Sequence, residues 1–155
     1  MSRRSRRSLE PLESLFSEAN LSQWSNQRTE GETAGWTATG GQISGAYVQN
    51  QEPRRSSSGS PIGASVGLAS ATIGIDTTGS IFSPARCSNI MGMNPTIGLT
   101  SRWLTIGTSP RQDSVGPKAC TVQDAAALLQ AIAGKDANDP YTNDQPAKVP
   151  DHMKA

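Results

Sequence analysis

The chain has 155 residues, a net charge of +1 and a mean hydropathy of −0.47. Leu, Ile, Val and Phe make up about 16% of it, below the ~20% at which chains become poor core formers, which argues for a piece of a core more than a whole one. No apolar run approaches the ~18 residues of a membrane span, and His152 is the single histidine and sits in a polar tail, which argues against a Ser-His-Asp triad and a histidine-rich zinc site.

The N-terminus is basic: Arg3, Arg4, Arg6 and Arg7 alternate with serines over residues 1–8. Such a run is expected to be a solvated, disordered terminus through residue 18. A nucleic-acid-binding role for it stands as an alternative, though the run is short and lacks interleaved aromatics. Leu9, Leu12, Leu15 and Phe16 share one face of a short helix predicted over 9–19. Residues 20–59 are polar and Gly-rich, with Trp24, Trp36 and Tyr47 as their large anchors.

A tightly packed helix is predicted over 60–71. Pro61 suits its first turn, and Gly63, Ala64, Gly67, Ala69 and Ala71 allow close backbone approach. Ile73 and Ile75 mark a short buried strand over 73–76, and a second strand is expected near 90–93. The clearest helix spans 121–133. Thr121 is a good N-cap, Asp124 takes the box position three residues on, and Gly134 stops the helix. Val122, Ala125, Leu128, Leu129 and Ile132 form its apolar stripe. Residues 141–155 read as a polar tail. Cys87 and Cys120 have no metal or redox spacing and read as reduced, mostly buried thiols of a cytosolic protein.

The chemistry concentrates between Ser56 and Ser80. A Ser/Gly loop (Ser56, Ser57, Ser58, Gly59) is followed by the small-residue helix, the Ile73/Ile75 strand and an Asp76-Thr77-Thr78-Gly79-Ser80 turn. A serine hydroxyl needs a base within hydrogen-bond reach to act as a nucleophile at neutral pH. This run resembles the core of the amidase signature family, serine hydrolases that cleave carboxamide C–N bonds with a Ser–Ser–Lys triad. Further segments carry the resemblance: Ala19-Asn20-Leu21-Ser22-Gln23-Trp24, Gly35-Trp36-Thr37-Ala38, Gly92 to Leu99, Gln112-Asp113-Ser114-Val115-Gly116-Pro117 and Gly134-Lys135-Asp136 through Asp139-Pro140. They span residues 19–140, the expected partial amidase domain.

The resemblance implies Ser80 as nucleophile and Ser56, 24 residues earlier, as bridging serine. It implies backbone N–H groups of Thr77, Thr78, Gly79 and Ser80 as the oxyanion hole, with Ser57 and Asp76 in support. It further implies a three-layer α/β fold with a mixed central sheet between helices, a small-molecule amide substrate, and neither cofactor nor metal. An amidotransferase subunit is a second possibility within the family. Departures are also plain. Arg54 and Arg55 stand where the family has two glycines before the bridging serine, and Thr78, Asn94, Leu104 and Gly107 replace other usual residues. The family's catalytic lysine lies upstream of the Asn20–Ser22 element, whereas the first lysine of this chain is Lys118. Lys118, Lys135, Lys148 and Lys154 fall in the wrong segments for that role. The expectation is therefore a truncated amidase domain, with a catalytically dead remnant as the alternative.

Overall fold

A computed structural model of the chain describes residues 19–26, 34–54 and 56–154. The basic N-terminus and the predicted 9–19 helix lie outside these residues except for Ala19, which is in coil. In chain order the elements are β1 (Trp36–Thr37), β2 (Gly41–Gln42), α1 (Gly59–Ser65), β3 (Ala71–Asp76), α2 (Phe82–Cys87), β4 (Met91–Gly92), β5 (Ser114–Ala119) and α3 (Val122–Ile132). A 3-10 turn over Pro140–Asp144 follows. This is an α/β architecture. Both sheets among the described residues pair antiparallel, so the mixed pairing expected of the central sheet is not present in them.

β5 is the middle strand of the three-stranded sheet, with β3 on one side and β4 on the other. β3 and β5 run in register from Ala71 opposite Ala119 to Asp76 opposite Ser114. The pleat sends alternate side chains to opposite faces. Gly74 and Asp76 on one face of β3 are therefore buried, while Ile73 and Ile75 on the other stay exposed. The strand expected over 73–76 is longer than predicted because Ala71 and Thr72 also join the ladder.

The core is built from small residues. Ala64, Ala85, Ala119 and Ala125 are almost fully buried, and Ile81 is the large side chain among them, at 0% exposed. Ile81 fills the space over Gly92 and Gly116, where a Cβ would come within 2.9 Å of its methyl groups. This close approach ties α2 to both β4 and β5 and fixes the residue that follows Ser80.

The helix predicted over 60–71 ends at Ser65. Gly67 takes φ +79°, and the Leu68 N–H turns back to the Gly63 carbonyl at 2.9 Å. This is a left-handed glycine terminus, which stops the helix before Ala69 and Ala71. α3 matches its expectation closely. Thr121 Oγ1 accepts the Asp124 N–H at 3.1 Å and donates to Asp124 Oδ2 at 2.7 Å. Ala125, Ala126 and Leu129 face inward, whereas Val122, placed on the apolar stripe, is exposed.

Other expectations need correction. Trp24 and Tyr47 are exposed instead of anchoring the 20–59 region. Cys120 is exposed and Cys87 half-buried, and both are free thiols. The polar 141–155 segment packs along part of its length. Thr142 is fully buried, and the Gln145 side chain donates to the Leu99 and Gly134 carbonyls at 3.1 and 2.9 Å.

Candidate active site

Two segments carrying the predicted site residues meet at the β3 edge. The first runs from Arg54 through Ser60; the second is the Asp76–Ser80 turn at the end of β3. Ser57 joins them. Its Oγ donates to the Ile75 carbonyl at 3.2 Å and accepts the Ile75 N–H at 3.3 Å. One hydroxyl thus acts as a miniature strand partner for the residue just before Asp76, satisfying both polar groups of an edge position.

The turn is organised by Asp76, which is 1% exposed. Its Oδ1 accepts the Gly79 N–H at 2.7 Å and its Oδ2 accepts the Ile81 N–H at 2.6 Å. Charge-assisted bonds of this kind are about twice as strong as neutral ones. Gly79 has φ +106°, a conformation open to glycine and costly for other residues. The carboxylate and the glycine together bend the chain so that Ser80, half-buried, follows the strand directly. The Gly79 N–H, expected in the oxyanion hole, is committed to Asp76. Thr77 Oγ1 donates to Asp113 Oδ1 at 2.6 Å, while Asp113 Oδ2 accepts the Thr108 and Ser109 N–H groups at 2.8 Å each. Asp113, part of the Gln112–Pro117 motif, therefore braces the turn from outside. Its place in a motif alone does not disclose this role.

The serine segment is clamped by the Asn20–Ser22 element. The Ser22 N–H donates to the Ser56 carbonyl at 2.9 Å, and the Gly59 N–H donates to the Asn20 carbonyl at 2.9 Å. Ser22 Oγ and Ser58 Oγ lie 3.1 Å apart, and Ser22 Oγ accepts the Gly35 N–H at 2.6 Å. Ser56 is buried, at 6% exposed. Neither Ser56 Oγ nor Ser80 Oγ has a hydrogen-bond partner among the described residues. Arg54 takes φ +53°, the left-handed region that suits glycine and costs an L-residue roughly 1–2 kcal/mol. Leu104, which stands where the resemblance implies another glycine, also has a positive φ, +67°. The backbone keeps a glycine conformation where the side chain has changed. Arg55 lies outside the described residues.

Lys118 enters the same region from β5. The residue is 0% exposed, and its Nζ donates to the Ser57 carbonyl at 3.1 Å and to Ser60 Oγ at 3.0 Å. Burial lowers its pKa to about 7 against the opposing pull of the Asp76 carboxylate. Its sequence position hid this placement, because the antiparallel register brings residue 118 opposite Thr72, beneath the serine segment. A separate cleft of about 420 Å³ lies among Arg102, Leu104, Pro110, Asp113, Asp139 and Tyr141; none of Ser56, Ser57, Asp76 or Ser80 lines it.

Among the described residues, no group of three or more His, Cys, Asp or Glu is arranged to hold a metal ion, and no helix is long and apolar enough to cross a membrane.

A model of the family described as Amidase matches residues 16–155. A protein named "Putative amidase" from Arthroderma benhamiae is 53% identical over 142 residues, covering 91% of this chain and 24% of that protein. The solved structure of native peptide amidase from Stenotrophomonas maltophilia superposes with a TM-score of 0.84 at 42% identity, covering 90% of this chain and 29% of the other. That of an amidase family protein from Bacillus anthracis gives 0.85 at 33%, covering 89% and 28%. The chain thus spans about a quarter of the length of the relatives it matches. From its motifs, its fold and these matches, the chain belongs to the amidase family.

Proposed function

We propose that this chain carries the two-serine part of an amide-hydrolysing site. Ser80 attacks the carbonyl carbon of a small carboxamide while its hydroxyl proton passes through Ser56 to the neutral lysine that the family resemblance implies as base, from which the leaving nitrogen later takes it up. The resulting oxyanion is met by backbone N–H groups of the turn. With the Gly79 N–H held by Asp76, those of Thr77, Thr78 and Ser80 remain for this work. Each such donor is worth about 2.7–4 kcal/mol in the transition state. Ammonia or an amine departs with a proton, and water then releases the acid from Ser80. No cofactor enters this scheme, and a cytoplasmic setting suits it.

The observation that carries this reading is the double hydrogen bond between Ser57 Oγ and Ile75. It holds the Ser56 segment against the strand that delivers Ser80. The test is ammonia release from a panel of small primary carboxamides by the protein, its Ser80→Ala variant and its Ser56→Ala variant. Release that vanishes in Ser80→Ala and falls at least about 100-fold in Ser56→Ala supports it. Release unchanged in Ser80→Ala overturns it.

A second reading, an inactive remnant of the family, is favoured by the left-handed Arg54 at a glycine position. The same assay separates the two, since a remnant releases no ammonia from any member of the panel.

A further inference from the structure

We propose that Lys118 is a positioning residue of the serine segment: through Ser57 and Ser60 it sets where Ser56 stands relative to the Ser80 turn. The catalytic consequence rests on the amide-hydrolysis reading above; the positioning itself does not.

Lys118 leaves β5 on the face it shares with Thr72, Gly74 and Asp76 of β3. The missing side chain at Gly74 makes its path possible. A Cβ there would come within 2.4 Å of Lys118 Nζ, 2.8 Å of its Cε and 3.1 Å of Ser57 Oγ. The amine thus ends in a slot bounded by β3 on one side and the serine segment on the other. It spends two of its hydrogen bonds there, on the Ser57 carbonyl and on Ser60 Oγ in the first turn of α1. These two anchors bracket Ser58, the residue that immediately precedes α1. Ser57 is consequently fixed at both ends, its hydroxyl on Ile75 and its carbonyl on Lys118. Ser56 is one peptide away.

Burying an ammonium is expensive, and well-packed apolar replacements of buried ions are often neutral or stabilising. A lysine buried there with two directed hydrogen bonds is better suited to fixing a geometry than to strengthening the fold. Its grip also depends on protonation, since the ammonium makes charge-assisted bonds to both anchors, which weaken when the neutral amine exchanges one donor for a lone pair. The charged groups on the elements packed against β5 are few. β3 contributes Asp76, which favours the charged form. α1 and β4 contribute no titratable side chain, and α3 contributes only the exposed Asp124, engaged with Thr121.

The test compares the protein with Lys118→Met, of similar length but without the amine, and with Gly74→Ala, whose methyl group claims the amine's place. Amide signals of Ser56, Ser57 and Ser60 are followed by NMR from pH 5.5 to 9, beside the Lys118 side-chain signal. The expected result is one shared midpoint in the parent protein. It is absent in both variants, while the Ala125 and Leu129 signals of α3 report an unchanged fold. A second readout is the rate at which a fluorophosphonate labels Ser80. This is expected to fall at least about tenfold in both variants, with the parent's pH dependence across neutrality lost. Serine-segment signals that ignore the Lys118 titration, or that titrate equally in Lys118→Met, overturn the proposal. If the signals co-titrate and Ser80 is labelled in no form, the amide-hydrolysis reading fails and the positioning stands. If Ser80 is labelled equally in all forms with one pH profile, the positioning fails and the hydrolysis reading stands.

Discussion

The Ser80 turn and the Ser56 segment lie side by side but are held in opposite ways. The turn is shaped mainly by local means, a buried carboxylate accepting two N–H groups within five residues and a glycine at the one position that needs positive φ, with Asp113 as its one distant brace through Thr77. The serine segment has little local support. It is held by distant groups, namely the Asn20–Ser22 clamp, Ile75 of β3 and the tip of Lys118. It also enters through a left-handed arginine. A turn that organises itself is readable from a few consecutive residues. A loop held from three directions owes its shape to the rest of the fold.

Lys118→Met should have the largest effect on stability, and in the favourable direction. The folded pKa of about 7 lies below the unfolded value near 10.5. Between those values the unfolded chain holds a proton that the folded chain lacks, so stability rises with pH. The penalty is full below about pH 7 and gone above about 10.5. Removing the amine should therefore stabilise the protein by up to about 4 kcal/mol at pH 6, and by little at pH 11. Urea unfolding at the two pH values measures the difference. An equal change at both would mean that charge burial is not its source.

Asp76→Asn should act in the reverse sense on the turn. An amide cannot accept both N–H groups with the strength of a carboxylate, and a loss of about 3 kcal/mol is expected in urea unfolding. The same substitution removes the carboxylate that favours the Lys118 ammonium, so the Lys118 midpoint should move further down. A midpoint that rose would break the electrostatic link between the two regions.

Gly79→Ala isolates the conformational part of the turn. Nothing lies within 4 Å of the added Cβ, so the cost is the positive φ alone, about 1–3 kcal/mol. The smallest effect is expected at the entrance to the serine segment. Arg54→Gly relieves a left-handed arginine and should stabilise by about 0.5–1 kcal/mol. A loss there would show that the arginine side chain supports the segment in a way its backbone conformation does not reveal.

The same contrast decides what was legible in the sequence. α3 was readable because its cap, stripe and stop are local, and it lies within a residue of its predicted bounds. The Asp76–Ser80 turn was readable for the same reason. β5 was not predicted, since Gly116, Pro117 and Lys118 interrupt any strand pattern and the strand exists by pairing on both sides. α2 was missed because it is a six-residue helix containing Pro84, held by the burial of Ile81, Pro84 and Ala85. Lys118 is not legible as part of the site because it follows Ser57 and Ser60 by some sixty residues, and only the β3–β5 register brings it beneath them.

The most direct measurement is covalent labelling of the protein with a fluorophosphonate, followed by mass-spectrometric location of the adduct. Because Ser80 sits on the braced turn, one adduct per chain is expected at Ser80, absent in Ser80→Ala and slowed in Ser56→Ala. An adduct on another serine, or none on the folded protein, would contradict the assignment of the Asp76–Ser80 turn as the nucleophile's seat.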